Sequence, residues 1–289
     1  MIEFIDDAEP WRPTTSGERL LFLLLANHKE ARFLSESLAG SGLRFARRYS
    51  DWSNFMVGAS LLHLQQRLIK LGNDVREKLP SDRMDQLKEL RARTCDIVQL
   101  TPIEYDGDFG ELIQEILVSA EQMHKEPPQN LKRSVQKSSS FCYSCGRYFG
   151  TVYENDEDAK EGLRATADHV WPRALGGDSI EDNLLPACTS CNSTKGHLAT
   201  WHMAWLQPIV FSDIDGECVP PPVPREVQMA LHMRAATSYA RANGTTLRDA
   251  FMAIGPRDRP EKIDREQGYD FFNMRVHSET RTMVKWIPG

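Results

Sequence analysis

The chain has 289 residues, 40% of them hydrophobic and 26% charged, and a net charge of −6. That balance belongs to a folded globular protein of about two domains rather than to a disordered chain. No apolar run reaches the ~18–20 residues of a membrane span, and the acidity argues against a protein that grips nucleic acid through an overall basic surface.

Residues 1–126 read as almost entirely helical. Ser16, Gly17 and Glu18 open an apolar run continuing to Leu38, and LLFLLLA at 20–26 is too short to cross a bilayer. A second helix, capped by Asp51 or Ser53, runs to Leu79 and stops before Pro80. Within it Leu61, Leu64, Leu68, Leu71 and Val75 recur at spacings of three and four, forming one amphipathic face, and His63 reads as a core or boundary residue. A third helix spans Ser81 to Leu100, with Leu87, Leu90, Ile97 and Val98, and ends at Pro102; a fourth spans Phe109 to Met123. The four read as a bundle that buries its own core. The competing reading has the 61–75 face also meeting a partner or a second copy of the chain.

PPQNLKRSVQKSSS, residues 127–140, reads as a linker from its Pro-Pro start, serine run and lack of apolar periodicity. It carries Lys132, Arg133 and Lys137 and no acid, so it is either a basic arm against a phosphate backbone or a solvated connector. Arg44, Arg47 and Arg48 make another short basic patch, whereas ENDEDAKE at 154–161 is acidic and is expected to face away from nucleic acid. Towards the C-terminus PPPVP at 220–224 marks a boundary, Arg225 to Asn243 and Thr246 to Ile254 read as helices, and Tyr269 to Val276 as a strand. So short a tail is expected to pack on what precedes it.

Chemistry is concentrated in the middle. Cys142-x-x-Cys145 and Cys188-x-x-Cys191 are two knuckles, each aiming two thiolates at one point, and together they read as a closed, structural tetrathiolate zinc site. The alternative, two disulfides, belongs to short secreted chains, and this sequence reads without a signal peptide. Cys95 and Cys218 lie outside the pattern and read as free thiols of a reducing cytoplasm. Between the knuckles, ATADHVW at 165–171 is strand-like and holds Asp168 and His169. Neighbouring strand residues point to opposite sides, so both serve one site only where the strand ends; Pro172 and Gly176-Gly177 supply that end. Asn192 follows Cys191 where a short helix begins. A strand, a turn and a helix then bring Asp168, His169 and Asn192 together.

The residue types suit phosphodiester hydrolysis. His169 is the candidate general base. Asp168 and Asn192 offer oxygen ligands to a hard cation, Mg2+ or Mn2+, and Asn183 reads as support for the loop that orients His169. Each has a plainer reading when taken singly: a surface Asp-His pair, a turn asparagine. His197 is a weaker candidate ligand, Lys195 and Arg173 are either phosphate contacts or solvated charges, and Trp171 and Trp201 read as core.

Residues 141–200 resemble the HNH (ββα-metal) endonuclease domain in its zinc-stapled form. D-H-V-x-P resembles the histidine-bearing strand, the Gly-Gly turn with D-N-L resembles the middle asparagine signature, and C-x-x-C-N-x-x-K-G resembles the final helix. The Asp-His, Asn, Asn order is similar to that of the nuclease module of RNA-guided CRISPR effectors. Together with the patterns on either side, the chain reads as α+β: a helical domain at 1–126, a linker at 127–140, the nuclease at 141–205 and a helical and mixed segment at 206–289. The resemblance implies DNA as substrate, cleavage leaving a 5′-phosphate, and catalysis by Asp168, His169, Asn183 and Asn192. The build is similar to that of toxic effectors of bacterial anti-phage systems, often paired with an ATPase, which implies recruitment through residues 1–126. Two other readings stay open: a zinc-ribbon adaptor without catalysis, and a self-sufficient restriction or mobile-element nuclease.

Overall fold

The computed structural model describes residues 11–27, 49–80, 82–105, 107–149, 163–197, 199, 212–214, 217–219 and 225–256. The first helix beyond residue 27, the Arg44–Arg48 patch, the acidic insert, Trp201, the 220–224 boundary and the Tyr269–Val276 strand lie outside them.

Helix α1 (Ser16–Asn27) begins at a capping box. The Glu18 N–H donates to Thr15 Oγ1 at 3.2 Å, and the Glu18 carboxylate accepts from the N–H and hydroxyl of Thr15 at 2.9 and 2.8 Å. It also accepts from Thr14, both groups at 3.1 Å, and from Trp11 Nε1 at 2.7 Å. Those donors offset the cost of burying a carboxylate that is 1% exposed. Helix α2 (Tyr49–Lys78) turns Leu61, Leu68, Leu71 and Val75 into the core, with Leu64 partly covered, and packs on α1 and α4. The stripe is thus filled by the bundle itself, and His63 lies on the exposed side. Helix α3 (Arg83–Arg93), capped by the Asp82 carboxylate, widens into a π turn over Thr94–Val98 instead of running on to Leu100. Helix α4 (Phe109–Gln122) is capped by Asp108.

The stretch expected to be a linker contains a helix, α5 (Gln129–Lys137). Pro128 takes the N-cap with extended backbone, Val135 is buried, and the Gln136 amide donates to Ala165 O at 3.1 Å. Apolar anchors at only Leu131 and Val135 leave too faint a pattern to read as a helix; the surface that secures them lies about thirty residues on.

Strands β1 (Ala165–His169) and β2 (Leu184–Cys188) pair antiparallel, with Asp168 opposite Leu185 and His169 opposite Leu184. Helix α6 (Thr189–Lys195) follows at once, completing a β-β-α unit. A second hairpin pairs β3 (Ser212–Ile214) with β4 (Glu217–Val219). Helices α7 (Arg225–Asn243) and α8 (Leu247–Ile254) pack on each other, α7 also on α6. Tyr143 meets Phe251 edge-on with centroids 5.2 Å apart, so the tail does cover the β-β-α unit. Helix-rich with small sheets, the chain is α+β, and buried residues from Trp11 to Phe251 join in one cluster. Among the described residues no helix is long and apolar enough to cross a membrane.

The helical half and the β1–β2 loop meet at backbone distance. Gly17 N–H and Ser16 Oγ both donate to Gly176 O, at 2.9 and 3.0 Å, and Ser16 N–H donates to Asp178 Oδ2 at 2.6 Å. The Gln65 amide donates to Gly17 O at 2.6 Å and to Leu175 O at 2.9 Å. A Cβ on Gly17 would lie 1.8 Å from Leu175 O; one on Gly176, at φ +78°, would lie 2.7 Å from Ser119 Cβ. Only glycine fits at either position.

Candidate active site and metal centre

The two knuckles converge at the far end of the hairpin. The first turns on Gly146, at φ +70°, whose N–H donates to Cys142 O at 2.9 Å; Tyr143 N–H ties it to Pro186 O at 2.9 Å. The second joins the end of β2 to α6, with Cys191 N–H directed at Cys188 Sγ, 3.4 Å away. The four sulfurs lie within 4.8 Å of one another, with Cys145 and Cys188 3.9 Å apart. A tetrahedral ion with ~2.3 Å metal–sulfur bonds needs sulfurs about 3.8 Å apart, whereas a disulfide needs about 2.05 Å. The set fits zinc.

At the other end Asp168, 4% exposed, points toward α6. Its carboxylate accepts from the Tyr143 hydroxyl at 2.7 Å and from Lys195 Nζ at 2.9 and 3.0 Å. Lys195 Nζ also donates to His169 O. Burial and the neighbouring Asp168 charge keep the Tyr143 phenol protonated, hence a donor. Asn192 donates to Thr166 Oγ1 at 3.0 Å; Thr166 and Asp168, two apart on β1, share a strand face. Asn192 Oδ1 and the Asp168 carboxylate are therefore oxygen donors on the same side of the hairpin. The Lys195 ammonium neutralises that carboxylate, and oxygen donors of this chemistry are the kind a hard divalent ion takes. Lys195 is no solvated surface charge: its side chain is 10% exposed.

His169, the last residue of β1, turns its ring toward the β1–β2 loop while staying within reach of the Lys195 charge. Its Nε2 lies 3.0 Å from Ser179 Oγ, and Ser179 donates its proton to Lys125 O at 2.6 Å. A carbonyl only accepts, so the Ser179 oxygen must accept from Nε2–H. That fixes the tautomer and leaves Nδ1 unprotonated. Burial first, then the charges of Lys195, Arg173 and Lys132, push the imidazole down to about 3, opposed by Glu126. The ring is neutral at neutral pH. Asn183, 1% exposed, accepts from Trp171 N–H at 2.7 Å and donates to Trp171 O and Asp178 O at 3.0 and 2.9 Å. It braces the loop, and its amide is fully engaged there. Trp171 is fully buried, its indole N–H on Leu175 O at 2.9 Å, and His197 is exposed beyond α6.

Residues 142–198 match the family model described as HNH endonuclease. The chain carries an HNH endonuclease domain. No curated protein and no solved structure matches the chain. The HNH match starts on the first cysteine of the cluster and takes in β1, β2 and α6 with all four candidate residues.

Three polar groups of the HNH site were not singled out from sequence. Tyr143 sits inside the first knuckle, where C-Y-S-C already placed it near the second pair. Thr166 lies two residues before Asp168, so strand alternation could have found it. Ser179 carries no local signal, because its second partner is a main-chain carbonyl 54 residues away.

Proposed function

We propose that the chain is a metal-dependent endonuclease that hydrolyses DNA phosphodiester bonds. The observation that carries this reading is His169. It is a half-buried, neutral imidazole with a fixed tautomer, set among cations within a segment that matches the HNH family model. In the proposed reaction Nδ1 takes the proton from an attacking water. Oxygen adds to phosphorus, the P–O3′ bond breaks, and the 5′-phosphate remains on the downstream fragment. A divalent cation held by Asp168 and Asn192 would supply positive charge to the phosphate and the departing oxygen. Ser179 holds the ring, Asn183 holds the loop, and Tyr143 orients the Asp168 carboxylate. Arg173 and Lys132 attract the scissile phosphate. The net charge of −6 supports a recruited effector, brought to DNA by a partner such as an ATPase or a second copy acting through residues 1–126, as in bacterial anti-phage defence.

The test is supercoiled plasmid with Mg2+ or Mn2+. The purified protein is expected to nick or linearise it, and His169→Ala to slow cleavage by about 10²–10⁴-fold with zinc content unchanged. An inert wild type, or a His169→Ala protein that cuts at the wild-type rate, would sink the reading.

A further inference from the structure

We propose that helix α5 is a rail for the backbone of duplex DNA, leading one strand onto His169. The inference rests on the nuclease reading and adds a contact surface outside the segment that matches the HNH family. In a chain of net charge −6, QNLKRSVQK carries three cations and no anion. It is no loose basic tail. Val135 is buried, and Gln136 is hydrogen-bonded to the first residue of β1, so the cations stand on a rigid element joined to the catalytic strand.

Their order round the helix matters. At ~100° per residue, Lys132 and Gln136 share the flank that faces the hairpin. Arg133 and Lys137, four apart, lie one step further round toward solvent, and both are exposed. Among the described residues neither makes an ion pair. Lys132 is different: its charge reaches the His169 imidazole, and its Nζ holds Glu126 Oε2 at 2.6 Å. The Glu126 carboxylate, 66% exposed, also feels Arg173 and His169. It is an anion set among the groups that would meet a phosphate, bound at the surface where exchange is easy. The stripe thus runs from an exposed pair, Arg133 and Lys137, to a pair at the base, Lys132 and Arg173, whose present counter-ion is a side chain that DNA can displace. The charges favour a polyanion that continues into the site. An acidic protein segment would have no reason to end at an imidazole beside a carboxylate.

The experiment measures binding of a fluorescent duplex of roughly 20 bp by anisotropy between about 50 and 200 mM KCl, without divalent ions, in the full-length His169→Ala protein. Each phosphate contact contributes about 0.9 to the slope of log K against log salt. Arg133→Ala/Lys137→Ala is therefore expected to flatten the slope by about 1.8. Arg67→Ala/Lys70→Ala, the same charge change on the exposed side of α2, is expected to leave it unaltered. Glu126→Gln is expected to tighten binding severalfold. A rail variant with the parent's slope, an equal fall in both double variants, or weaker binding by Glu126→Gln would each overturn the proposal. Plasmid cleavage by the wild type, assayed in parallel, separates the two failures: cleavage with an unaltered slope removes only the rail, and no cleavage removes the nuclease.

Discussion

The β1–β2 hairpin has two ends, and they are held by different physics. At the Ala165–Cys188 end four sulfurs from two short knuckles meet at a point, and every ligand comes from within the HNH segment. At the His169–Leu184 end the loop is held by distant parts of the chain: Ser16 and Gly17 on Gly176 and Asp178, Gln65 on Leu175, and Lys125 O on Ser179. The first end supports α6 and hence Asn192 and Lys195. The second sets the orientation of the candidate base. The HNH segment therefore carries its own scaffold, but the orientation of the His169 ring depends on the helical half.

The contrast can be broken at either end. Cys188→Ser should have the largest effect. Structural zinc supplies on the order of 10 kcal/mol of folding free energy, so this variant is expected to lose zinc by elemental analysis, with β1, β2 and α6 losing amide-exchange protection. Gly17→Ala comes next. A methyl 1.8 Å from Leu175 O cannot be accommodated, and the expected loss is about 2–4 kcal/mol, with a lower melting temperature and zinc retained. Zinc loss in Gly17→Ala would show that the two ends are not separable.

Ser179→Ala is the mildest change. It removes the acceptor for Nε2–H and frees the ring to turn, so cleavage is expected to fall about 10-fold, of the order of one lost hydrogen bond, without loss of stability beyond about 1 kcal/mol. The pH profile distinguishes orientation from packing. In the wild type the imidazole is held down near 3, so it stays neutral and kcat/KM should show no break at the usual histidine value of about 6.5. The linkage has a definite sign. The unfolded chain takes up a proton below about 6.5 and the folded chain does not, so this group's contribution to stability is complete above that pH and is lost toward 3. A Ser179→Ala protein with the wild-type rate and a flat profile would remove Ser179 from the site.

What was legible in the sequence was short in range. The cysteine pairs, the Asp168-His169 dyad and the leucine spacings of α2 are patterns within a few turns or one strand, and local patterns of that kind survive folding intact. The helix at 129–137 was missed because Leu131 and Val135 only look apolar-periodic once the hairpin beneath them is known. Ser179 was missed because half of its role lies in a backbone carbonyl, which has no residue identity. Lys195 reads from sequence as either a phosphate contact or a solvated charge; only the fold sets it, nearly covered, on the Asp168 carboxylate.

Lys195 gives Asp168 a resident counter-ion. A buried carboxylate left alone would cost several kcal/mol, and here the ammonium of the same chain offsets part of that cost. Any divalent ion that comes to Asp168 arrives by ion exchange, and its apparent affinity is the difference between two cations rather than the attraction of one. The protein would then stand in opposite relations to its two metals. Zinc on the four cysteines would be a condition of folding for the β-β-α unit, whereas the cation proposed for Asp168 would come and go with supply while the fold stays.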